Sequence, residues 1–186
     1  MKKIFIAAFA ALTVIACCGG KKKAAAAEAA APASEVKSEV AAPQTGINEG
    51  EMFTDFAITQ PDGSVLKLSD FAGKGKSLLV DFWASWCGPC KREIPNIIAT
   101  YNKHHGDKFD VLSVAVWDKP EDTAAAAKEH GVVWNQIEDA QRIPTDLYKI
   151  EGIPTLILIG PDGIILKRGE SLRGPEMPEI IGAYLK

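Results

Sequence analysis

Cys87 and Cys90 stand two residues apart in Trp86-Cys87-Gly88-Pro89-Cys90, a spacing at which two thiols close into a disulfide with little movement of the backbone. Such a pair does thiol-disulfide exchange: one thiolate attacks a disulfide sulfur, a mixed disulfide forms, and the second thiol resolves it. The attacking sulfur must be ionised. A helix N-terminus favours that, because its unpaired N–H groups and positive dipole end bring a thiol pKa from ~8.5 toward 7 or below. Cys87 is the candidate nucleophile, and Cys90, one turn further along and directed inward, the candidate resolving thiol. The plainer alternatives are a permanent disulfide or half a zinc site. Structural zinc wants four ligands, and no second Cys pair or His stands near this one in the sequence, so no metal is expected. The remaining cysteines, Cys17 and Cys18, form a separate pair, and four thiols so clustered make no disulfide framework.

The elements that must position this dithiol are legible on either side of it. Leu78-Leu79-Val80-Asp81-Phe82-Trp83 is apolar on both faces except for Asp81, which predicts a central strand covered on both sides and leaves the Asp anomalous. A helix follows from near Cys87 to Tyr101 or His104, with Pro95 bending it. Before the strand, Phe56 to Thr59 and Ser64 to Leu68 flank Pro61-Asp62-Gly63 as a hairpin, and Ser69 is expected to cap a short turn ending in Gly73-Lys74-Gly75. After the helix come a buried strand over 109–116, a helix opened by Asp118 to Asp122 and closed by Gly131, and a short strand over 132–137. A helical turn over 145–148, a hairpin of 155–159 and 164–168 around Gly160-Pro161-Asp162-Gly163, and a terminal helix over 175–185 complete an α/β domain with a mixed sheet. His104, His105 and His130 read as surface residues, and Trp83, Trp117 and Trp134 as core.

Leu79-Val80-Asp81-Phe82-Trp83-Ala84-Ser85-Trp86-Cys87-Gly88-Pro89-Cys90-Lys91 resembles the active-site stretch of thioredoxins, and Tyr148-Lys149-Ile150-Glu151-Gly152-Ile153-Pro154-Thr155 resembles the segment that carries their cis-proline. Leu68-Ser69-Asp70-Phe71-Ala72-Gly73-Lys74, Cys90-Lys91-Arg92-Glu93-Ile94-Pro95 and the insert from about Asp118 to Gln141 resemble the TlpA/ResA branch of membrane-tethered thioredoxin-like proteins. The resemblance runs from roughly Gly50 to the C-terminus. It implies a thioredoxin-like fold, a central mixed sheet flanked by helices, with an N-terminal hairpin and a TlpA-type insert. It implies a cis bond at Pro154, against ~5% for an arbitrary X-Pro bond, facing Cys87, with the main chain of Ile153 pairing to an extended partner segment. Asp81 takes the place of the buried acid that exchanges a proton with Cys90, where many tethered relatives carry Asn. Glu93 resembles an acid near the active site of cytochrome-maturation relatives; the plainer alternative is a residue simply exposed on the helix. Trp86, with Gly88, Pro89, Ile153 and Pro154, is expected to form the rim on which partners dock.

The N-terminus reads as an address. Lys2 and Lys3 precede an uncharged run from Ile4 to Ala16, short of the ~20 residues that span a bilayer, which predicts a signal peptide over 1–16. Val14-Ile15-Ala16-Cys17 resembles the lipobox of bacterial lipoproteins, so Cys17 is the expected lipidation site and the domain is expected outside the cytoplasm, periplasm-facing, in the cell envelope. Residues 17–48, rich in Ala, Lys, Glu and Pro, read as a tether with Lys21-Lys22-Lys23 as a solvated charge run, and 49–186 as the folded domain. With a formal charge of -3 the chain has no basic surplus for nucleic acid. The function expected is exchange with the thiols or disulfides of exported proteins, as a reductant, without a cofactor and fed by a membrane electron donor. Apocytochrome c thiols are a narrower substrate. The rivals are a non-catalytic thioredoxin-fold binding module and a thiol peroxidase, whose Pro-x-x-x-Thr-x-x-Cys signature the sequence lacks.

Overall fold

The computed structural model describes residues 43–185. The leader, Cys17, Lys21 to Lys23 and the tether up to residue 42 lie outside the described residues. In chain order, β1 (Thr45–Gly46) pairs in parallel with β2 (Met52–Phe53), and a hairpin joins β3 (Ala57–Thr59) to β4 (Val65–Lys67). Then follow β5 (Ser77–Trp83), α1 (Gly88–His104), β6 (Phe109–Ala115), α2 (Pro120–Glu129), β7 (Asn135–Ile137), α3 (Ile143–Tyr148), β8 (Thr155–Ile159), β9 (Ile165–Arg168) and α4 (Met177–Gly182). The main sheet has the order β7-β6-β5-β8-β9, with β5, β6 and β7 parallel and β8 and β9 antiparallel to their neighbours. It is the thioredoxin-like α/β arrangement.

Every residue of β5 is buried, as its unbroken apolar run requires. Because strand side chains alternate, β5 feeds two cores. Leu78, Val80 and Phe82 pack with Phe56, Ile58, Leu68 and Tyr148 from the hairpin and α3. Leu79 packs on the other face with Ile97 of α1 and with Met177 and Ile181 of α4. Trp83, on that same face, meets Cys87, Cys90 and Ile94. Asp81 shares the parity of Leu79 and Trp83, so it points beneath the first turns of α1. Each large apolar side chain buried here contributes about 1.5–3 kcal/mol, which fixes the sheet firmly under the dithiol.

Several expectations change. The turn after β4 is a 3-10 turn, Leu68–Asp70, closed by Asp70, whose carboxylate accepts from Lys67 N at 2.8 Å; Ser69 instead donates its N–H to Asp55. Residues 45–48, read from composition as tether, lie on the domain: Ile47 packs against the core, and Arg168 donates to its carbonyl at 2.8 Å. The loop from Gly50 to Phe53 seats on β9 through Gly50 N to Ile165 O at 2.8 Å and Ile165 N to Glu51 O at 2.9 Å. The terminal helix is shorter than expected, and a 3-10 turn at Glu170–Leu172 precedes it. Trp117 is half-buried rather than fully inside, packing against the core from its margin with a left-handed backbone (φ 56). His104 is half-buried against Pro178 O at 2.7 Å, and His130 is half-buried too, leaving His105 as the exposed histidine. Among the described residues no helix is long and apolar enough to cross a membrane.

Candidate active site

β5 ends at Trp83, and a tight turn through Ala84, Ser85 and Trp86 delivers Cys87 to the N-cap of α1. Cys87 N donates to Ala84 O at 3.0 Å, and Cys87 Sγ accepts from Cys90 N at 3.1 Å, so the sulfur itself caps the helix. Pro89 sits in the first turn, where a missing N–H costs nothing. Cys87 and Cys90 are joined as a disulfide with Cα atoms 5.3 Å apart, both sulfurs largely buried, while Trp86, Gly88 and Pro89 stay exposed around them. The bond can therefore be met only from the side those three residues border.

The Ile153-Pro154 peptide is cis and lies over that side, with Ile153 O 3.6 Å from Cys87 Sγ. Its position follows from α3, which ends on Lys149 in a left-handed conformation (φ 52), and from Thr155 Oγ1, which donates to Gly152 O at 2.7 Å. A groove of about 350 Å³ runs beside it, bounded by Pro89, Ile153, Pro154, Thr155, Glu170 and Arg173. A second hollow of about 400 Å³ opens on the opposite flank next to Trp86, Trp117 and Gln141. A third, of similar volume, lies at the start of β5 around Ser77, Lys108 and Tyr184 and touches none of the reactive residues.

Behind the dithiol, Asp81 is 3% exposed and its Oδ1 has no partner. Burial pushes its carboxyl from 3.8 up to about 7; the Ser113 hydroxyl, donating to Oδ2 at 3.4 Å, and the Arg173 charge oppose the rise, and the Glu93 charge adds to it. Ser113 Oγ accepts from Trp134 Nε1 at 2.9 Å, which leaves its own proton for Asp81. Glu93, three residues after Cys90 and on the same helix face, is buried: its Oε1 accepts from Gly174 N at 2.7 Å and Asn96 Nδ2 at 3.1 Å. The reading that left it free to be exposed is thereby corrected.

The structure thus brings together Cys87, Cys90, Pro154, Ile153, Trp86, Gly88 and Pro89 at one surface, with Asp81 and Glu93 beneath it. Sequence reasoning missed Ser113 and Arg173, and placed Trp134 in the core, where it lies, without its bond to Ser113. Ser113 left a signal, as the lone hydroxyl inside the apolar run 109–116 and directly opposite Asp81 in the β5–β6 register; Arg173 left none.

The AhpC/TSA family model matches residues 50–168. Over 132 residues the chain is 30% identical to the thiol-disulfide oxidoreductase ResA of Bacillus subtilis, an overlap of 71% of this chain and 73% of that protein. The solved thioredoxin domain of a thiol-disulfide oxidoreductase from Bacteroides vulgatus superposes with a TM-score of 0.65 at 27% identity, covering 76% of this chain and all of that one. A thiol:disulfide interchange protein from Bacteroides sp. gives 0.63 at 29%, with 77% and 91% covered.

Proposed function

The chain belongs to the AhpC/TSA family and is a thiol-disulfide oxidoreductase of the ResA type, and from that premise we propose that it reduces disulfides of exported proteins through Cys87 and Cys90. The observation that carries this reading is the stacking of three features on one bond. Cys87 Sγ caps α1 from Cys90 N, Ile153 O lies 3.6 Å from the same sulfur, and a protonatable Asp81 sits behind.

In the reduced protein, Cys87 thiolate attacks one sulfur of a partner disulfide, and the partner's other sulfur leaves as thiolate. Cys90 then gives its proton to Asp81 and attacks Cys87 Sγ, releasing the second partner thiol and closing the disulfide. Two electrons have passed to the partner, and a membrane dithiol donor must return them. The partner segment lies extended in the groove along Ile153 and Pro154, and Trp86, Gly88 and Pro89 supply the apolar rim it docks on. Glu93 acts on the site through the charge it places near Asp81.

The leader sequence supports the rest of the reading: a domain outside the cytoplasm, periplasm-facing, held to a membrane by lipidated Cys17 on a tether. Replacing Cys17 should release the protein from washed membranes. Redox titration of the purified protein against glutathione and dithiothreitol buffers should give a reversible two-electron couple near the thioredoxin value of about -270 mV, lost in Cys87→Ser together with insulin reduction. A couple nearer about -120 mV would make the enzyme an oxidant, and insulin reduction unchanged in Cys87→Ser would remove the dithiol from the mechanism. An oxidised Cys-x-x-Cys-His peptide tests the narrower apocytochrome c assignment: reduction faster than that of insulin supports it.

A further inference from the structure

Asp118 takes no part in the exchange, yet its carboxylate accepts four hydrogen bonds. Two come from Ser85, from its backbone N–H and from Oγ at 3.0 Å; the others come from Thr123 Oγ1 at 3.0 Å and Lys119 N at 2.9 Å. Its neighbour Trp117 accepts from Trp86 Nε1 at 3.0 Å through its carbonyl. The far end of the same segment joins in. Gln141 Nε2 donates to Asp118 O at 3.1 Å, and Gln141 O accepts from Trp117 N at 3.3 Å. Trp117 (φ 56) and Gln141 (φ 50) both hold left-handed conformations that residues other than glycine adopt only where their surroundings over-determine them. Asp118 is therefore stapled to Ser85 and Trp117 to Trp86, the two residues that lead into Cys87, while Gln141, at the far end of the segment 118–141, braces Trp117 and Asp118 from behind.

We infer that Asp118 is a positioning residue for Cys87. By fixing Ser85 it sets the turn whose next step caps α1, keeping Cys87 Sγ on Cys90 N–H and holding the exposed Trp86 indole against Trp117 O. An ionised carboxylate suits this post because it accepts at four sites and donates at none, matching four converging donors. The inference rests on Cys87 being the nucleophile, but it concerns how the nucleophile is held, so its test does not depend on insulin turnover alone.

A charge acting at a distance makes the opposite prediction. A carboxylate near a thiolate disfavours it, so loss of charge alone would lower the pH midpoint for iodoacetamide alkylation of reduced Cys87, and equally in Asp118→Ala and Asp118→Asn. Positioning predicts that Asp118→Ala raises the midpoint and slows insulin reduction about tenfold, whereas Asp118→Asn, which still accepts from Ser85 N–H, stays within about threefold of wild type. Hydrogen exchange followed by NMR should show the Ser85 amide and the Trp86 indole N–H losing at least about tenfold of their protection in the Ala variant only. Should Asp118→Ala fail to fold, the Ser85→Ala/Thr123→Val double variant removes two donors at constant charge, and it too should raise the alkylation midpoint. Equal lowering of the midpoint in Ala and Asn, or unchanged alkylation, exchange and turnover in Asp118→Ala or in the double variant, would overturn the inference. Because alkylation and hydrogen exchange need no partner protein, the inference can fail while the disulfide reductase stands, and the reverse.

Discussion

Asp81→Asn tests the buried acid through stability as well as catalysis. The carboxyl is sealed under α1, and burial raises it from 3.8 to about 7. The folded protein therefore keeps this proton to higher pH than the unfolded chain does. Its contribution to stability is complete below the unfolded value near 4 and is lost as pH rises through about 7. At pH 8 the ionised group withholds about 4 kcal/mol, of which about 3 kcal/mol disappears between pH 5 and pH 8. The carboxamide of the variant cannot ionise, so that protein should lose about 3 kcal/mol less across the interval. With a urea slope of ~2 kcal/mol/M this separates the two midpoints by about 1.5 M more at pH 8 than at pH 5. The assay is urea unfolding of the oxidised protein, with the disulfide intact so that neither cysteine titrates. The lowered carboxylates Glu51 and Asp62 titrate below this window, and Tyr148, raised by burial, titrates above it. Wild-type and variant curves that fall in parallel from pH 5 to pH 8 would refute the argument. So would an Asp81→Asn protein that resolves mixed disulfides at the wild-type rate, since Cys90 would then need no proton acceptor there.

Ser113→Ala removes the hydroxyl that holds Asp81 down, so the pH profile of mixed-disulfide resolution should move upward. Trp134 Nε1 loses its acceptor in the same variant, at about 1–3 kcal/mol in urea unfolding. Glu93→Gln keeps an acceptor for Gly174 N but removes the charge that raises Asp81, so the profile should move downward. Opposite shifts in these two variants are required, and a common direction would disprove the electrostatic picture of Asp81. Tyr148→Phe deletes a hydroxyl that donates to Thr54 O at 2.6 Å, leaving that carbonyl unpaired, and should cost about 1–3 kcal/mol in thermal unfolding without changing insulin reduction.

The strand-helix alternation was legible because β5 and β6 are long apolar runs and α1 carries buried residues at helical spacing through Cys90, Glu93, Ile94 and Ile97. Cys87, Cys90, Asp81 and Pro154 were legible for a different reason: their residue types are unusual for where they stand. What escaped depends on partners distant in sequence. Ser85 and Asp118 are 33 positions apart, and Glu93 meets Gly174 across 81, separations at which neither periodicity nor composition speaks. β1 and β2 escaped because two-residue strands carry no period, and their neighbourhood has the composition of a linker. His104 was misjudged because a helix end looks exposed until another helix, here α4, is laid against it.

The loop at 50–53 that seats on β9 has a bearing on which chains this enzyme can hold. An enzyme that handles incompletely folded partners meets extended segments with unpaired backbone, and any open sheet margin would capture them without chemistry. Here β9 is the last strand on one side; its first residue, Ile165, already bonds Gly50 and Glu51, Gly163 just before it bonds Phe53, and at its far end the Glu49 carboxylate accepts from Arg168 N at 3.1 Å. On the other side β7 is three residues long, and the Gln60 side chain closes the N–H of Glu138 just beyond it at 2.8 Å. With both margins blunted, an extended segment finds little open sheet edge to pair with, which on the proposed mechanism leaves the loop beside the disulfide as its place to dock.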